Sequence, residues 1–307
     1  MNYKFGVVIV TFNRKLLLNE CIECVLNQSR RFDEIIIVDN CSTDGTGEYL
    51  DSIKSASNIK VIHASDNLGG AGGFHLGVGS SYKDVDYLLL IDDDAMLNRD
   101  FLKEIERNIV NGICAYSGTV TTNGKIDFTH RRRILNKVLL THKDVACSDY
   151  NLRTFDYELS TFCGLMVSSK IIEKIGLPKR EYFIWYDDSE YSLRINKYSK
   201  IRNVNTSIIN HKTTLSPASD LGWKSYYGYR NKIDMGKNYS SLPFVFVLYR
   251  YLYHIIRCLQ YFVLSLIDIK KRDYYKFASK LMIDIIKDSF AGKLGKNEKY
   301  QPLKKLY

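Results

Sequence analysis

Residues 87–94, Tyr-Leu-Leu-Leu-Ile-Asp-Asp-Asp, decide the fold class of this chain. The apolar run has the length and composition of a strand that is buried on both faces. Three adjacent carboxylates follow it directly, and they repel one another unless a cation neutralises them. Because side chains alternate along a strand, Asp92 and Asp94 are predicted on one side and Asp93 on the other. Asp92 and Asp94 are therefore candidate metal and substrate ligands, unless the triplet is only an acidic loop that caps the next helix.

Strands and helices alternate on the N-terminal side of this stretch. Apolar runs predict strands, and periodic apolar residues with N-cap signals predict helices between them. This order is typical of an α/β protein with a parallel sheet and helices on both faces. The predicted strands are 5–10, 34–38 and 59–63, and the predicted helices are 15–28, the stretch from Thr46 to about Ser55, and the stretch from Phe74 to Tyr82.

The unusual motifs all follow a predicted strand. They are the segment Thr11-Phe12-Asn13-Arg14, Asp39, the segment 67–73 and the acidic triplet. Ligands of open α/β sheets bind at the carboxyl ends of the strands, so this arrangement predicts a nucleotide site. Four glycines among residues 69–73 would let backbone N–H groups approach a phosphate or sugar, although a flexible loop is the alternative. The spacing is not G-x-G-x-x-G, so a dinucleotide-binding enzyme fits poorly.

A second acidic motif follows an aromatic run at 182–186. Asp187, Asp188 and Glu190 are predicted at the N-terminus of a helix, where the helix dipole favours the ionised carboxylate. An ordinary acidic first turn is the alternative. Downstream, His211 lies in a predicted polar loop, and an isolated histidine is more often structural than a ligand. The stretch 226–231 is predicted to open another helix.

The C-terminal part combines an apolar segment with a basic tail. Residues 242–267 are interrupted by Arg250, His254 and Arg257, whose spacing places them on one face of a helix. This pattern predicts an amphipathic helix at a membrane surface, with a helix packed on the catalytic domain or on a dimer partner as the alternative. Residues 270–307 carry eleven Lys/Arg against four Asp/Glu, within a chain of net charge +10. Such a tail would add attraction to anionic lipid.

Cysteine usage and the N-terminus predict a cytoplasmic location. The seven cysteines are scattered, and Cys21 and Cys24 lie in a helical pattern without a second pair that could complete a zinc site. We therefore expect reduced thiols. The apolar run near the N-terminus is too short for a secretory signal.

Together these motifs resemble the inverting family 2 glycosyltransferases of the GT-A fold, over about residues 4–235. The resemblance is carried by the segment 11–14, the segment 39–46 and the acidic triplet. The segment 67–74 and the motif Asp187-Asp188-x-Glu190 are similar to those of bacterial galactofuranosyltransferases. Trp185, however, stands one place early, and Tyr186 occupies the position where that group has Trp. The stretch 227–231 resembles one seen in rhamnosyl- and galactofuranosyltransferases.

The resemblance implies the domains and the roles of the site residues. It implies a GT-A catalytic domain over residues 1–235, with a Rossmann-like, mostly parallel sheet, followed by a helical region over residues 236–307. Asp188 would be the catalytic base, and Asp92, Asp94 and His211 would hold Mn²⁺ or Mg²⁺. The implied nucleotide-sugar ligands are Thr11, Asn13, Arg14, Asp39, Asn67, Gly70, Asp92 and Asp93. The implied acceptor-binding residues are Asp187, Glu190, Trp185 and Tyr186.

The implied reaction is inverting transfer of galactofuranose from UDP-galactofuranose to a hydroxyl of a glycan or lipid-linked glycan in cell-surface polysaccharide synthesis. Transfer of rhamnose from dTDP-rhamnose is the alternative, because Asp39 would accept the N3–H that uracil and thymine share. A sugar nucleotidyltransferase would need a glycine-rich loop after the first strand, and the segment 11–14 has no glycine. A non-enzymatic membrane-surface or nucleic-acid-binding protein would leave the carboxylates unexplained, since they repel phosphate. Expected partners are the donor, the acceptor and the anionic inner face of the plasma membrane, with homo-oligomerisation open and nucleic acid excluded.

Overall fold

The computed structural model describes residues 3–54, 58–213 and 221–302. The chain forms two compact units, and both are assembled from separate stretches of sequence. The first unit comprises Met1–Ile134, His142–Arg180 and Asp188–Leu215, and the second comprises Leu135–Thr141, Glu181–Asp187 and Ser216–Tyr307. The predicted functional boundary at residue 235 stays a prediction, because compactness reports packing and not which residues a reaction needs.

A mixed β-sheet is the centre of the first unit. Its strands, together with those of a small second sheet, are β1 (Phe5–Thr11), β2 (Glu34–Asp39), β3 (Ile59–His63), β4 (Tyr87–Asp92), β5 (Ala95–Leu97), β6 (Ala115–Thr122), β7 (Lys125–Ile126), β8 (Arg131–Asn136), β9 (Thr141–Asp144), β10 (Thr154–Tyr157), β11 (Leu159–Ser160), β12 (Leu165–Ser168) and β13 (Ile201–His211). Within the described residues the main sheet has the order β10-β13-β6-β12-β4-β1-β2-β3, with β5 paired to β13 and β7 to β6. The small sheet has the order β11-β8-β9.

The predicted parallel arrangement is confirmed for β4, β1, β2 and β3. These four neighbouring strands are parallel, and their registers pair Val10 with Asp92, Thr11 with Asp39, and Asp39 with His63. On the other side of β4, strand β12 runs antiparallel. The sheet is therefore mixed beyond the acidic strand.

Helices cover both faces of this sheet, as the alternating pattern predicts. One core cluster joins the face that includes Val7 to α1, α2 and α4, and another joins the face that includes Val8 to α3, α5 and α6. Cys21 and Cys24 lie on α1 as expected. The helices are α1 (Lys15–Leu26), α2 (Thr46–Ile53), α3 (Gly69–Gly79), α4 (Phe101–Arg107), α5 (Ser169–Ile175) and α6 (Asp187–Ile195), followed by α7 (Trp223–Tyr239), α8 (Pro243–Ile267) and α9 (Arg272–Phe290).

The glycine-rich stretch belongs to α3, so the predicted helix start after Phe74 is wrong. A methyl group added at Gly73 would lie 2.5 Å from Cγ1 of Val10, and one added at Gly77 would lie 2.3 Å from a methyl carbon of Val8. These glycines therefore let α3 pack closely on β1. At Gly70, in contrast, the added carbon would meet nothing within 4 Å, so this position is open.

The second unit is a helical assembly of α7, α8 and α9. The predicted helix over the apolar segment is present as α8, and two of the three residues on its basic face are buried. Arg250 is 7% exposed and His254 is fully buried, whereas Ile256 is 62% exposed. No single helix among the described residues has both the length and the apolar composition of a membrane span. The pair Pro243–Ile267 and Ile269–Phe290, bent by 116°, meets that test when taken together.

Candidate active site

Four polar side chains lie at one edge of the parallel strands. Asp92 ends β4, Thr11 ends β1, Asp39 ends β2 and His63 ends β3. Since these strands are neighbours in register, the polar residues that the sequence separates by tens of positions are brought together. The predicted co-location of the motifs at the carboxyl ends of the strands is confirmed.

The acidic triplet is held by two residues of the first motif. The hydroxyl of Thr11 donates to Oδ2 of Asp93 over 2.7 Å. Nη1 of Arg14 donates to Oδ1 of Asp93 over 3.1 Å and to Oδ2 of Asp94 over 2.7 Å. The alternation assumed from the sequence is wrong here, because β4 ends at Asp92 and the next two residues form a turn. Asp93 and Asp94 therefore converge on one guanidinium nitrogen.

His211 joins this cluster from β13, which lies on the opposite side of β4 from β1 in the strand order. It is the last residue of β13 and not part of a loop, and it is paired with Ala95 of β5. Its Nε2 lies 3.2 Å from Oδ1 of Asp94. Burial lowers the pKa of His211, but the carboxylates of Asp94 and Asp92 outweigh burial and raise it above its ordinary value. The histidine that the resemblance selected is thus next to the acidic triplet.

The three acids differ in how easily they carry charge. Burial, together with the neighbouring carboxylates of Asp94 and Asp93, raises the pKa of Asp92 to about 7. Burial also raises the pKa of Asp93 to about 6, against the hydrogen bond from Thr11 and the charge of Arg14. Burial raises the pKa of Asp94, but the hydrogen bonds and positive charges of His211 and Arg14 outweigh burial, so the pKa is lowered. A further positive charge would favour ionisation of Asp92 and Asp93.

Two buried atoms of the cluster lie where a cation could be held. Oδ1 of Asp94 is buried and faces Nε2 of His211 over 3.2 Å, and Nδ1 of the same imidazole is buried without a hydrogen-bond partner in the part of the chain that the structure describes. Buried polar atoms normally have partners, so each such atom calls for an explanation. Carboxylate oxygens with an imidazole nitrogen suit a divalent cation. The donor set of Asp92, Asp94 and His211 therefore fits the metal that the resemblance implies.

A second candidate metal group contains residues that sequence reasoning missed. Asp127, His130 and His211 each offer a ligand atom, and these atoms all lie within 4.8 Å of one another. Nδ1 of His130 lies 2.7 Å from the hydroxyl of Thr161. The hydrogen bond to His130 holds the pKa of Asp127 well below its ordinary value, and burial lowers the pKa of His130. The spacing Asp-x-x-His was the available signal, but it lies outside the motifs that follow the strands.

The nucleotide-side candidates make mostly local contacts. Asp39 is buried, its Oδ1 accepts from the N–H of Ser42 over 3.0 Å, and its Oδ2 lies 3.2 Å from Nδ1 of His63. Oδ1 of Asn13 accepts from the N–H of Thr43 over 2.7 Å, which ties the loop after β1 to the loop after β2. These contacts set the shape of the edge.

Asn67 has a similar local role at the start of α3. Its Oδ1 accepts from the N–H of Gly69 over 2.8 Å. The open position Gly70 follows directly. Contact of Asn67, Gly70, Asn13 and Asp39 with a nucleotide sugar stays a prediction.

The second acidic motif begins α6, as predicted. Asp188 is half-buried, and its Oδ1 accepts from the hydroxyl of Ser189 over 3.0 Å. Asp187 and Glu190 are buried, and Glu190 forms a 2.8 Å ion pair with Arg194. Trp185 is 47% exposed. Asp188 and Trp185 are thus more accessible than the other two acids.

A short path of contacts links the start of α6 to the histidines. The hydroxyl of Ser192, one turn after Asp188, donates to the carbonyl of Asp188 over 2.8 Å and accepts from the N–H of Ser160 over 3.0 Å. The next residue, Thr161, contacts His130, whose ring lies 5.1 Å from that of His211. Within the first unit, this path therefore connects the predicted base Asp188 with the predicted metal ligand His211 through β11.

The sheet and the acidic edge define the chain as a GT-A protein of the glycosyltransferase class. Its fold matches the crystal structure of GalNAc-T7 with UDP, GalNAc and Mn²⁺ with a TM-score of 0.63, at 15% identity, over 95% of this chain and 58% of that chain. The family is shown by the sequence itself. The chain belongs to the glycosyl transferase family 2, whose family model matches residues 6–168.

Two curated relatives are similar over most of the chain. The dTDP-rhamnosyl transferase RfbF of Shigella flexneri is 25% identical over 199 residues, which are 64% of this chain and 65% of the relative. The galactofuranosyltransferase GlfT1 of Mycolicibacterium smegmatis is 23% identical over 201 residues, which are 61% of this chain and 64% of the relative. The alignment thus spans slightly less than two thirds of either relative.

Proposed function

We propose that this chain is a metal-dependent inverting glycosyltransferase that moves a sugar from a nucleoside diphosphate to a hydroxyl of a glycan or lipid-linked glycan. The observation that carries the proposal is the contact of Asp94 with both His211 and Arg14, directly after Asp92 at the carboxyl end of β4. A diphosphate leaving group accumulates negative charge, and this edge combines a fixed cation with ligands for another.

The proposed metal ligands are Asp92, Asp94 and His211, and the proposed metal is Mn²⁺ or Mg²⁺. When bound, the cation would take up charge on the leaving diphosphate. The buried contact between Oδ1 of Asp94 and Nε2 of His211 supports this ligand set. His211 also belongs to the group with Asp127 and His130, so the two ligand sets compete for one imidazole.

Removal of the metal separates the two ligand sets. With chelator present, we expect release of nucleotide from the donor to stop, and added Mn²⁺ or Mg²⁺ should restore it. Asp94→Asn should weaken the response to metal strongly, whereas Asp127→Asn should leave it intact. Glu173→Gln, at an exposed position of α5, is the matched control. If Asp127→Asn weakened the response to metal and Asp94→Asn left it intact, the metal would be assigned to Asp127, His130 and His211 instead.

The remaining donor-side residues would hold the nucleotide sugar. Thr11 and Arg14 fix the carboxylate of Asp93, and Asp39 would accept the N3–H of the pyrimidine. Asn13 supports the loop between β1 and α1. Asn67 and the open Gly70 would face the sugar or diphosphate at the start of α3.

The proposed donor is UDP-galactofuranose, and the second candidate is dTDP-rhamnose. The preference for galactofuranose rests on the resemblance of the segment 67–74, while similarity to RfbF, a dTDP-rhamnosyl transferase by name, favours rhamnose. The two relatives are about equally similar to this chain, so overall identity does not separate the donors.

On the acceptor side, Asp188 would take the proton of the attacking hydroxyl. Asp188 is half-buried at the start of α6, so its carboxylate is within reach of an acceptor hydroxyl that arrives from solvent. Trp185 and Tyr186 would offer aromatic faces to a sugar ring. Asp187 and Glu190 would bind and orient the acceptor, with Glu190 acting through a carboxylate already paired to Arg194. One base is enough for an inverting displacement.

A screen of nucleotide sugars tests the proposed function. The full chain with Mn²⁺ is incubated with UDP-galactofuranose, dTDP-rhamnose and other nucleotide sugars, and the released nucleotide is measured. We expect the fastest release from UDP-galactofuranose and tighter calorimetric binding of UDP than of dTDP. Clearly tighter binding of dTDP would shift the donor to rhamnose. No release from any donor with either metal would contradict the transferase proposal.

A further inference from the structure

The outward surface of α8 is apolar along most of its length. The α8 apolar face consists of Leu248, Leu252, Ile256, Leu259, Val263 and Leu266. Their exposures are 48, 50, 62, 60, 49 and 63%, so each side chain leaves about half or more of its surface uncovered. Their spacing of three or four residues places them on one stripe of the helix.

The opposite side of α8 is fixed by contacts within the second unit. A methyl group at Gly236 of α7 would overlap the ring of Phe246, so these two helices are in close contact. Nδ1 of His254 lies 3.2 Å from the sulfur of Met282 on α9. Sγ of Cys258 lies 3.3 Å from the hydroxyl of Ser279. Because the polar residues are committed to these contacts, the apolar stripe is left facing outward.

This stripe is large for a surface that meets only water. From Leu248 to Leu266 it runs for about 27 Å at the rise of an α-helix. Monomeric soluble proteins seldom expose continuous apolar patches of more than a few hundred Å², and larger patches mark interaction sites. The segment Pro243–Ile267 also contains no acidic residue.

Basic residues lie at both ends of the stripe. At the C-terminal end the exposed residues Ile267 and Ile269 are followed by the exposed Lys270, Lys271 and Arg272. At the N-terminal end the N–H of Ser241 donates to the carbonyl of Lys137, which places another exposed lysine beside the start of α8. The apolar stripe thus ends in positive charge on either side.

We propose that the α8 apolar face docks on an anionic lipid bilayer. Lipid tails accept the apolar stripe, and anionic headgroups accept the lysines at its ends. A second copy fits less well, because packing α8 on its copy in either direction brings basic ends together. The cytoplasmic leaflet is the anionic one, so this surface also supports a peripheral position on the inner face of the plasma membrane. The proposal is carried by the second unit alone and does not depend on the proposed reaction.

Vesicle sedimentation of the full chain tests the docking surface. The vesicles contain phosphatidylcholine with phosphatidylglycerol, and pure phosphatidylcholine vesicles serve for comparison. Ile256→Glu with Leu259→Glu should lower partitioning at least about 10-fold, since two apolar side chains that docking would bury in the bilayer are replaced by charges. Lys270→Gln with Lys271→Gln should lower it about 5-fold per charge at low salt and much less at high salt.

Controls separate docking from folding and from self-association. Val110→Glu with Leu152→Glu changes two exposed apolar residues of the first unit and should leave partitioning unchanged. Circular dichroism should show that the helical variants keep their helix content, and donor hydrolysis without lipid should match the parent. Equal vesicle binding by the parent and the Ile256→Glu/Leu259→Glu variant would overturn the proposal. A dimer in lipid-free buffer that this variant dissociates, with unchanged vesicle binding, would assign the face to a second copy instead.

Discussion

The two units place their polar residues in opposite ways. In the first unit Asp92, Thr11 and Asp39 end neighbouring strands and meet at the edge of the sheet. In the second unit Arg250 and His254 of α8 are buried, and the residues of the α8 apolar face are exposed. The first arrangement suits a site that takes a polar ligand from water. The second suits a helix whose outer neighbour is itself apolar.

The difference shows which sequence patterns determine where polar side chains point in the folded chain. In a parallel sheet, register and the carboxyl ends of the strands fix where polar residues meet. An amphipathic helix has two faces, and its pattern alone does not say which face packs inward. That choice depends on the partner of the helix. The mutations below test residues of the first unit and of the second unit separately.

The largest expected effect is at Asp188. Asp188→Asn keeps the shape of the side chain and removes its basicity, so the rate of transfer to acceptor should fall by about 10²–10⁴-fold. Binding of nucleotide and metal should hardly change, because those groups lie at the strand ends. Steady-state transfer kinetics and calorimetry of UDP give the two quantities. Near-parental transfer, or loss of UDP binding instead, would contradict this role, and Asp187 would then be tested.

The next effect concerns stability within the second unit. Phe183, Trp185 and Tyr186 all have positive φ angles, of 65°, 64° and 68°, which is costly for bulky residues. The side-chain amide of Asn231 donates to the carbonyls of Tyr182, Ile184 and Trp185 at 2.9–3.0 Å. Asn231 thus holds the aromatic segment in this conformation.

Asn231→Ala should therefore lower the free energy of unfolding by about 2–3 kcal/mol, since a buried donor is lost and carbonyls are left without it. Chemical denaturation followed by fluorescence measures the change. Asn238→Ala removes an exposed amide of the same helix that donates to the carbonyl of Asp234, and it should cost much less. Equal losses for the two variants would remove the special role of Asn231.

The sequence predicted the parallel part of the sheet in the first unit. The apolar runs before Asp39 and before Asp92 gave strands β2 and β4, and the motifs after them were placed correctly at one edge. The prediction from strand alternation failed at Asp93 and Asp94 because β4 ends at Asp92. The two following residues form a turn, and the turn sets the directions of their side chains. Arg14, which contacts Asp93 and Asp94 in this turn, lies 79 and 80 residues away from them in the sequence.

Other features were out of reach for physical reasons. The glycines of α3 looked like a loop because helix propensity counts against them, whereas close packing on Val8 and Val10 requires them. His130 and Asp127 come near His211 only through the fold of β6, β8 and β13. The orientation of α8 could not be derived from its pattern, since both faces are long and continuous.

A pH titration tests whether the polar face of α8 is buried. Burial and the nearby charge of Arg250 lower the pKa of His254 to about 3, well below its ordinary value of 6.5. Below pH 6.5 the unfolded chain therefore binds a proton that the folded chain does not. The stability that the neutral His254 provides is lost as pH falls, with a slope approaching about 1.4 kcal/mol per pH unit.

His254→Gln should flatten this loss between about pH 6.5 and 5, while its stability near pH 8 serves as the reference. Urea denaturation of the parent and the variant at each pH gives the two slopes. If the stabilities of the parent and the variant changed in parallel with pH, His254 would not be buried. The inward orientation of the polar face of α8 would then lose its main support.

The smallest expected effect is at Asp92, in the metal-free protein. Its pKa is raised from 3.8 to about 7, so between these values the folded chain binds more protons than the unfolded chain. Stability from this group therefore falls as pH rises from about 4 to 7. Asp92→Asn removes the titration, and in chelator its stability relative to the parent should be higher at pH 8 than at pH 4 by at least about 1 kcal/mol, the equivalent of one pKa unit.

Added Mn²⁺ should stabilise the parent at pH 8 more than it stabilises Asp92→Asn, because the cation offsets the repulsion that the variant lacks. Thermal unfolding with chelator and with Mn²⁺ at both pH values gives all the comparisons. If Asp92→Asn followed the parent at every pH, neither burial nor the neighbouring carboxylates would be raising the pKa of Asp92. The polar edge would then be held by Arg14 and His211 alone, and the electrostatic reason for a cation at this edge would disappear.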